Sequence, residues 1–258
     1  MQSESIMLSK QVTKIIQNLE KKKFREKYQI FKVEGEKLVD ELLRSSFKIH
    51  SIFAYTNWIE KNQKRLHGLK VEEVDTHEMS QLSNFQSLPE VIALVHIPTS
   101  DYQKSKIQEE LSIVLNGIQD PGNLGTILRV ADWFGIHHVF CDSDCAGVYN
   151  SKCVQASMGA IFRVKTYYTD LPALFQEMQQ PDFPIYGTFL DGQNIYTTPL
   201  HTKGFIIMGN EGKGISTTIE PFINHKLTIP SFAQNEYATE SLNVGVATGI
   251  ILSEFKRR

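Results

Sequence analysis

At 258 residues the chain is long enough for two ordinary domains, because domains cluster near about 100–150 residues. Hydrophobic residues make up 41% and charged residues 22%, which excludes a disordered or fibrous chain, while the net charge of -2 argues against nucleic-acid binding through bulk charge and leaves room for a local basic patch. No apolar run approaches the ~18 residues of a membrane span, and the start Met1-Gln2-Ser3-Glu4-Ser5 lacks the basic and apolar regions of a signal peptide, so a cytoplasmic protein with no membrane partner is expected.

Residues 7–20 carry Met7, Leu8, Val12, Ile15, Ile16 and Leu19 at spacings of three and four, the period of an amphipathic helix. Between Lys10 and Lys27 there are seven basic residues (Lys10, Lys14, Lys21, Lys22, Lys23, Arg25, Lys27) against two acidic ones, interleaved with Phe24 and Tyr28. Composition leaves two readings open: a solvated helix end, or a patch for the phosphate backbone with aromatics for stacking. Strand and helix then alternate. Residues 29–33, 50–55, 71–74 and 91–96 read as strands, and 34–44, 58–66 and 79–85 as helices, giving a small α/β domain over residues 1–97. Residues 98–108 are polar, include Pro98 and show no apolar period, so they read as a linker.

The second domain, 109–258, opens with the apolar strand 111–115 and the turn formers Asn116-Gly117-Ile118-Gln119-Asp120-Pro121-Gly122. A helix from Asn123 should end at Gly135 with a glycine cap. Residues 138–141 read as a strand, 155–160 as a small-residue helix, 171–178 as a helix, 184–190 as a strand, and Phe205-Ile206-Ile207-Met208 as a buried central strand. Leu227-Thr228-Ile229-Pro230 reads as the end of a buried strand, and residues 241–252 as a helix whose polar groups sit at its opening, with Ser241 as N-cap. Such strands feeding polar turns define an open parallel sheet, in which ligands bind outside the carboxyl ends of the strands.

Cys141, Cys145 and Cys153 lie near His137 and His138, but there is no Cys-x-x-Cys pair, and no metal site is expected. Gly209-Asn210-Glu211-Gly212-Lys213-Gly214-Ile215-Ser216 lacks the Lys-Ser/Thr of a phosphate loop and fails the dinucleotide spacing. It remains a three-glycine loop through which backbone can approach a ligand, with a carboxylate that either serves the ligand or pairs with Lys213 or a helix amide. Asn123 can cap its helix and Arg129 can pair with Asp132, so spacing alone leaves their roles open.

The run Leu115 to Arg129, the loop Gly209 to Ser216, and Ile229-Pro230 ahead of Ser241-Leu242-Asn243-Val244 resemble, in order, the three signature motifs of the SpoU (TrmH) family of RNA 2'-O-ribose methyltransferases in the SPOUT superfamily. Gln155 to Arg163 resembles a further family segment, and Phe31 to Val39 resembles the L30e-like substrate-binding domain that often precedes the catalytic one. The resemblance implies an α/β protein: an L30e-like domain, then a mostly parallel SPOUT sheet with helices on both faces and a deep C-terminal trefoil knot. It implies S-adenosyl-L-methionine as cofactor, held by Thr188, Leu190, Gly209, Ile229 and Leu242, with Asn123, Arg129, Glu211, Ser241 and Asn243 around the reacting ribose and methyl. RNA, ribosomal ahead of transfer, would be met by Lys21, Lys22, Lys23 and Arg25, and the enzyme would be a homodimer. The competing reading is a non-catalytic RNA-binding or ribosome-assembly protein. Three positions depart from the family pattern: the 231–240 loop is longer and lacks a glycine, Gly245 stands where serine is common, and Gln155 replaces a commonly basic residue.

Overall fold

The computed structural model describes residues 10–99, 101–178, 180, 182–233 and 241–257. Met7 and Leu8, and the loop from 234 to 240, lie outside them. In chain order the elements are α1 (Lys10–Asn18), α2 (Lys22–Tyr28), β1 (Ile30–Glu34), α3 (Glu36–Leu42), β2 (Ile49–Ala54), α4 (Thr56–Asn62), β3 (Val71–Glu73), α5 (Thr76–Leu82) and β4 (Val91–His96). They continue with α6 (Lys104–Glu109), β5 (Leu111–Asn116), α7 (Pro121–Trp133), β6 (His138–Cys141), α8 (Ser151–Ser157), β7 (Lys165–Tyr168), α9 (Leu171–Met178), β8 (Ile185–Asn194), β9 (Gly204–Gly209), β10 (His225–Thr228) and α10 (Val244–Arg257). The chain forms two compact units, Met1–Thr99 with Tyr149–Phe162, and Ser100–Val148 with Arg163–Arg258. Among the described residues no helix is long and apolar enough to cross a membrane.

The first unit is a four-stranded sheet of order β1-β4-β2-β3. Its core gathers Ile16, Leu19, Ile30, Phe53, Met79, Ile92 and Leu94, so the helical period of α1 and the alternation of the strands feed one apolar layer. Edge strand β1 is buried along its whole length, Lys32 and Glu34 included. The Lys32 ammonium lies 2.7 Å from Glu34 Oε1 and donates to the Leu82 carbonyl at 3.0 Å, and the Ser83 hydroxyl donates to Glu34 Oε2 at 2.5 Å. A buried pair with its remaining valences satisfied in this way is tolerated, whereas removing one partner typically costs about 3–5 kcal/mol. Residues 149–162 complete this unit. Tyr149 packs on Phe31 with centroids 4.4 Å apart, Phe162 packs edge-on to Phe47 at 5.3 Å, and Gln155 Nε2 donates to the Glu34 carbonyl at 2.9 Å. The Gln155 side chain is thus a strand-edge donor.

Of the basic cluster, Lys21, Lys22 and Lys23 are exposed. Phe24 and Tyr28 stack at 6.4 Å, with the Lys23 and Lys27 ammoniums over their rings at 5.4 and 5.3 Å. Arg25, expected among the RNA contacts, is instead 6% exposed. Its guanidinium donates to the Leu19 and Glu20 carbonyls at 2.7 and 2.8 Å, which ties the α1–α2 turn together.

The second unit is a six-stranded, wholly parallel sheet of order β10-β8-β9-β5-β6-β7. From the central β5 the chain moves outward through β6 and β7, then crosses to β8, β9 and β10 on the other side. The order therefore reverses between β5 and β9, the kind of crevice where open α/β sheets bind ligands. In that pair Asn116 stands opposite Gly209. Residues 104–109, all but the last expected within the linker, form α6, and Ile107 is fully buried in the core beside Val114, Phe140 and Phe205. The three cysteines are buried, and Cys145 Sγ accepts from Ile118 N and donates to the Leu115 carbonyl. Burial holds His138 below the usual imidazole range, with its Nδ1 3.1 Å from the Tyr167 hydroxyl.

The C-terminal stretch differs in detail from its sequence reading. β10 is an edge strand in which Leu227 alone is buried, and Ile229 and Pro230 lie beyond its end. The β8–β10 register passes from Lys226 opposite Gly187 to Leu227 opposite Gln193, so residues 188–192 leave the ladder. α10 packs on α7 through its glycines: a Cβ at Gly245 would lie 2.8 Å from Thr126 Cγ2, and one at Gly249 would lie 3.9 Å from Val130 Cγ1. A side chain at position 245 would crowd Thr126 at this crossing.

Candidate active site

Every element of the site belongs to the second unit and lies at the carboxyl ends of its strands. α7 begins two residues earlier than its apolar period indicates, at Pro121. Proline suits this first helical position because its missing N–H would be unpaired there anyway. The N-cap is Asp120, whose Oδ1 accepts from Asn123 N at 2.9 Å. Asn123 is thereby released from the capping role the sequence allowed it, and its side chain projects from the first turn.

The loop after β9 must turn back on itself at once. A Cβ at Gly209 would meet the Gly214 carbonyl carbon at 2.5 Å and Ile215 N at 2.6 Å, so glycine is required there by close approach. Asn210 bridges to Gly214 through both backbone groups, and its Oδ1 accepts from Gly212 N and Lys213 N at 2.9 and 3.0 Å. This short-range turn presents Glu211 at its tip.

α10 opens at Val244, and its cap is Asn243: the Oδ1 accepts from Gly245 N at 3.0 Å and from Val246 N at 3.3 Å. Ser241, expected as the cap, lies two residues further out, is exposed and makes no hydrogen bond among the described residues. A residue two positions before the cap cannot reach the amides of the first turn.

These three termini meet on one carboxylate oxygen. Glu211 Oε1 accepts from Asn123 Nδ2 at 2.8 Å, from Asn243 Nδ2 at 3.0 Å and from Val244 N at 3.2 Å. Asn243 Nδ2 also donates to Asn123 Oδ1 at 3.0 Å. Both amides are oriented by this arrangement, since a carboxylate only accepts. The acid also sits at the start of a 14-residue helix, where a negative charge is favoured by about 0.3–1 kcal/mol. Glu211 therefore bonds a helix amide, one of the options its spacing left open, together with two asparagines from elements 88 and 32 residues away. Its Oε2 has no partner among the described residues.

Arg129 is exposed and lies six residues beyond Asn123 on α7, about 9 Å along the helix axis. Asp132, the partner that spacing allowed it, is held instead by Arg163 at 2.9 and 3.0 Å. Around the crevice, Thr188 Oγ1 donates to the Ile207 carbonyl at 3.0 Å and Thr228 Oγ1 to the Leu190 carbonyl at 3.1 Å. A Cβ at Gly192 would meet the Leu227 carbonyl carbon at 2.5 Å. Leu190 and Leu242 are 77% and 46% exposed and Ile229 is half-buried, so apolar side chains are presented to solvent beside close-packed backbone. Such a rim suits an apolar, flat ligand group held by amides and carbonyls. Among the described residues no group of three or more His, Cys, Asp or Glu is placed to hold a metal ion.

Sequence reasoning missed Asp120, Asn116, Asn210 and Asp142, which build the frame of this site. Asp120 carried a usable signal, because an acidic cap followed by proline marks a helix start. Asp142 carried none: its carboxylate bonds Asn116 and Gly117, 26 and 25 residues earlier.

Comparison with known proteins places this geometry. The SpoU rRNA methylase family model matches residues 110–253, and an MRM3-like substrate binding domain matches residues 10–93. The chain is 28% identical over 240 residues to the 23S rRNA (guanosine(2553)-2'-O)-methyltransferase RlmP of Bacillus subtilis, covering 91% of each. A TrmH-family protein from Porphyromonas gingivalis superposes with a TM-score of 0.87 at 36% identity, over 97% of this chain and 99% of that one. The AdoMet-bound rRNA methyltransferase of Sinorhizobium meliloti does so with a TM-score of 0.82 at 26% identity, over 97% and 95%.

The shared acceptor is open to test. Glu211→Ala leaves three donors without it and should lower stability by about 1–2 kcal/mol, while Glu211→Gln, which keeps one acceptor oxygen, should lower it by about half as much or less. Urea unfolding measures both, and equal losses would show that the convergence on Oε1 does not stabilise the site.

Proposed function

The chain belongs to the SpoU rRNA methylase family, and from that premise we propose that this RNA methyltransferase carries a methyl group from S-adenosyl-L-methionine to a ribose 2'-hydroxyl in structured RNA, ribosomal RNA ahead of transfer RNA. The observation that carries the reading is the convergence of Asn123, Asn243 and the α10 amide on Glu211 at the β5–β9 crevice. The rim fits the cofactor: Gly209, Thr188, Leu190, Ile229 and Leu242 offer backbone groups and apolar surface for the adenosyl part. When bound, the cofactor supplies an electrophilic sulfonium methyl. The chain's own task is then alignment, which in an in-line displacement can supply most of the barrier reduction.

The two asparagines cannot rotate freely without breaking their bonds to Glu211 and to each other, so they form a fixed wall for the ribose. The unpartnered Oε2 of Glu211, or a water held there, receives the hydroxyl hydrogen. A guanidinium stays protonated at any working pH, so Arg129 holds the adjacent phosphate and stabilises the developing alkoxide. Ser241 stands at the mouth of the same opening. The protein works in the cytoplasm as a homodimer with the knotted C-terminus of its superfamily. Trp133 on α7, 84% exposed, and Val246 on α10, 53% exposed, are apolar side chains left to solvent on two helices that pack together, which supports pairing.

Three measurements test this reading. Mapping 2'-O-methyl sites in total RNA should reveal one ribosomal site that disappears when the gene is deleted and stays missing, or reduced about 10²–10³-fold in rate, with Arg129→Lys. An unchanged map on deletion rejects the function, and full methylation with Arg129→Lys rejects the arginine role. Reversing Lys21, Lys22 and Lys23 to Glu should weaken RNA binding and flatten its salt dependence by roughly one unit of slope per lost contact; unchanged affinity and slope would remove that patch from the interface. In the ultracentrifuge, Trp133→Glu should sediment as a monomer while the unaltered protein sediments as a dimer.

A further inference from the structure

We propose that Asp142 is a positioning residue for methyl transfer: its carboxylate fixes Asn116 and Gly117, and through them both ends of the Gly209–Ser216 loop that carries Glu211. The inference deepens the functional reading above and rests on it. Asp142 follows β6, outside the three motif segments, and no ligand needs to touch it.

Four donors converge on this carboxylate. Oδ1 accepts from Asp144 N at 3.1 Å and Cys145 N at 3.0 Å, closing the turn after β6. Oδ2 accepts from Asn116 Nδ2 at 2.6 Å and Gly117 N at 2.9 Å. Because a carboxylate can only accept, the Asn116 amide must face it with nitrogen, and its oxygen must face the other way. That oxygen accepts Ser216 N at 2.7 Å, the last residue of the glycine loop. The Gly117 carbonyl accepts Asn210 Nδ2 at 2.7 Å, and Asn210 is the second residue of the same loop. Gly117 itself sits at φ +71°, a conformation that glycine adopts without the penalty other residues incur. The loop is thus gripped at its start and its end by two consecutive residues, and those two are held by one acid.

The chemistry of an amide at position 142 makes the idea testable. The Asp142→Asn side chain keeps one acceptor oxygen. If that oxygen serves the turn amides, its NH2 faces the Asn116 NH2, and relieving this clash by rotating Asn116 turns a second NH2 toward Ser216 N–H. If that oxygen instead keeps Asn116 and Gly117, the NH2 meets the Asp144 and Cys145 amides, and the turn that holds position 142 beneath the loop is lost. Replacing Asn116 by Asp in the same chain restores acceptors toward both the new amide at position 142 and Ser216, so Asn116→Asp should partly rescue Asp142→Asn. A residue that merely contributed to folding would show no such rescue.

The experiment measures S-adenosyl-L-methionine affinity by calorimetry, and kcat and KM for methyl transfer to ribosomal RNA purified from cells lacking the gene, with thermal melts as a control of folding. For folded Asp142→Asn the expected results are cofactor affinity lowered at least about tenfold, or kcat lowered about 10²-fold, as for an ångström-scale misplacement, with KM for RNA unchanged. The double variant should recover at least about tenfold of that loss. Affinity and kcat both within twofold of the unaltered protein, a rise in KM alone, or an equal loss in the double variant would each overturn the proposal. If the unaltered protein binds the cofactor yet transfers no methyl to this RNA, the functional reading fails, and the calorimetric comparison still decides the role of Asp142.

Discussion

The parallel pairing of β5 with β9 is the constraint from which the site follows. Its register places Asn116 opposite Gly209, so the chain leaves both strands at the same level, side by side, at the point where the strand order reverses. Two loops that start this close share their polar groups, because any carbonyl or amide excluded from water there must find a partner. Asn116 and Gly117 meet that demand for both ends of the glycine loop. The absence of a side chain at Gly209 lets the loop close on its own backbone. A register shift of one residue would separate these partners.

Helix starts supply the second layer. α7 and α10 both open toward the crevice, and each is capped from within its own sequence, by Asp120 and by Asn243. The caps satisfy some of the first amides and leave Val244 N for Glu211. One acid thereby neutralises the positive end of α10 and fixes two amide side chains that face the opening. The same hydrogen bonds that satisfy the helix start hold the two amides in place, so an exposed carboxylate is fully bonded on one oxygen. The crossing of α7 and α10, close-packed at Gly245 against Thr126, sets how far apart the two helix starts stand.

The extent to which this was legible varies by residue type. Period and alternation located nearly every element, and β6 and α9 agree with their sequence reading to the residue, since burial on one face imprints itself on neighbouring positions. The glycine loop and the asparagines stood out by resemblance, and Asn123, Glu211 and Asn243 do come together. Helix starts were displaced by about two residues because apolar period says nothing of caps: Asp120 was passed over for Asn123, and Ser241 preferred to Asn243. Arg25 read as a surface cation, although two carbonyls of the preceding turn enclose its guanidinium. The helix at 104–109 was hidden because a single apolar residue, Ile107, anchors it.

The sequence by itself determined an α/β chain in two parts, the class of its sheet, and the three segments that resemble family motifs, because these depend on local pattern and on residues close together along the chain. Only the tertiary structure decided which side chains meet. It assigned residues 149–162 to the first unit, where Gln155 serves the edge of β1, and it placed Asp142 beneath Asn116 and Gly117. It also brought Glu211 to two asparagines from distant elements. Such contacts depend on strand order, register and helix crossing, which emerge from packing the whole chain at once and leave no periodic trace in any one stretch of it.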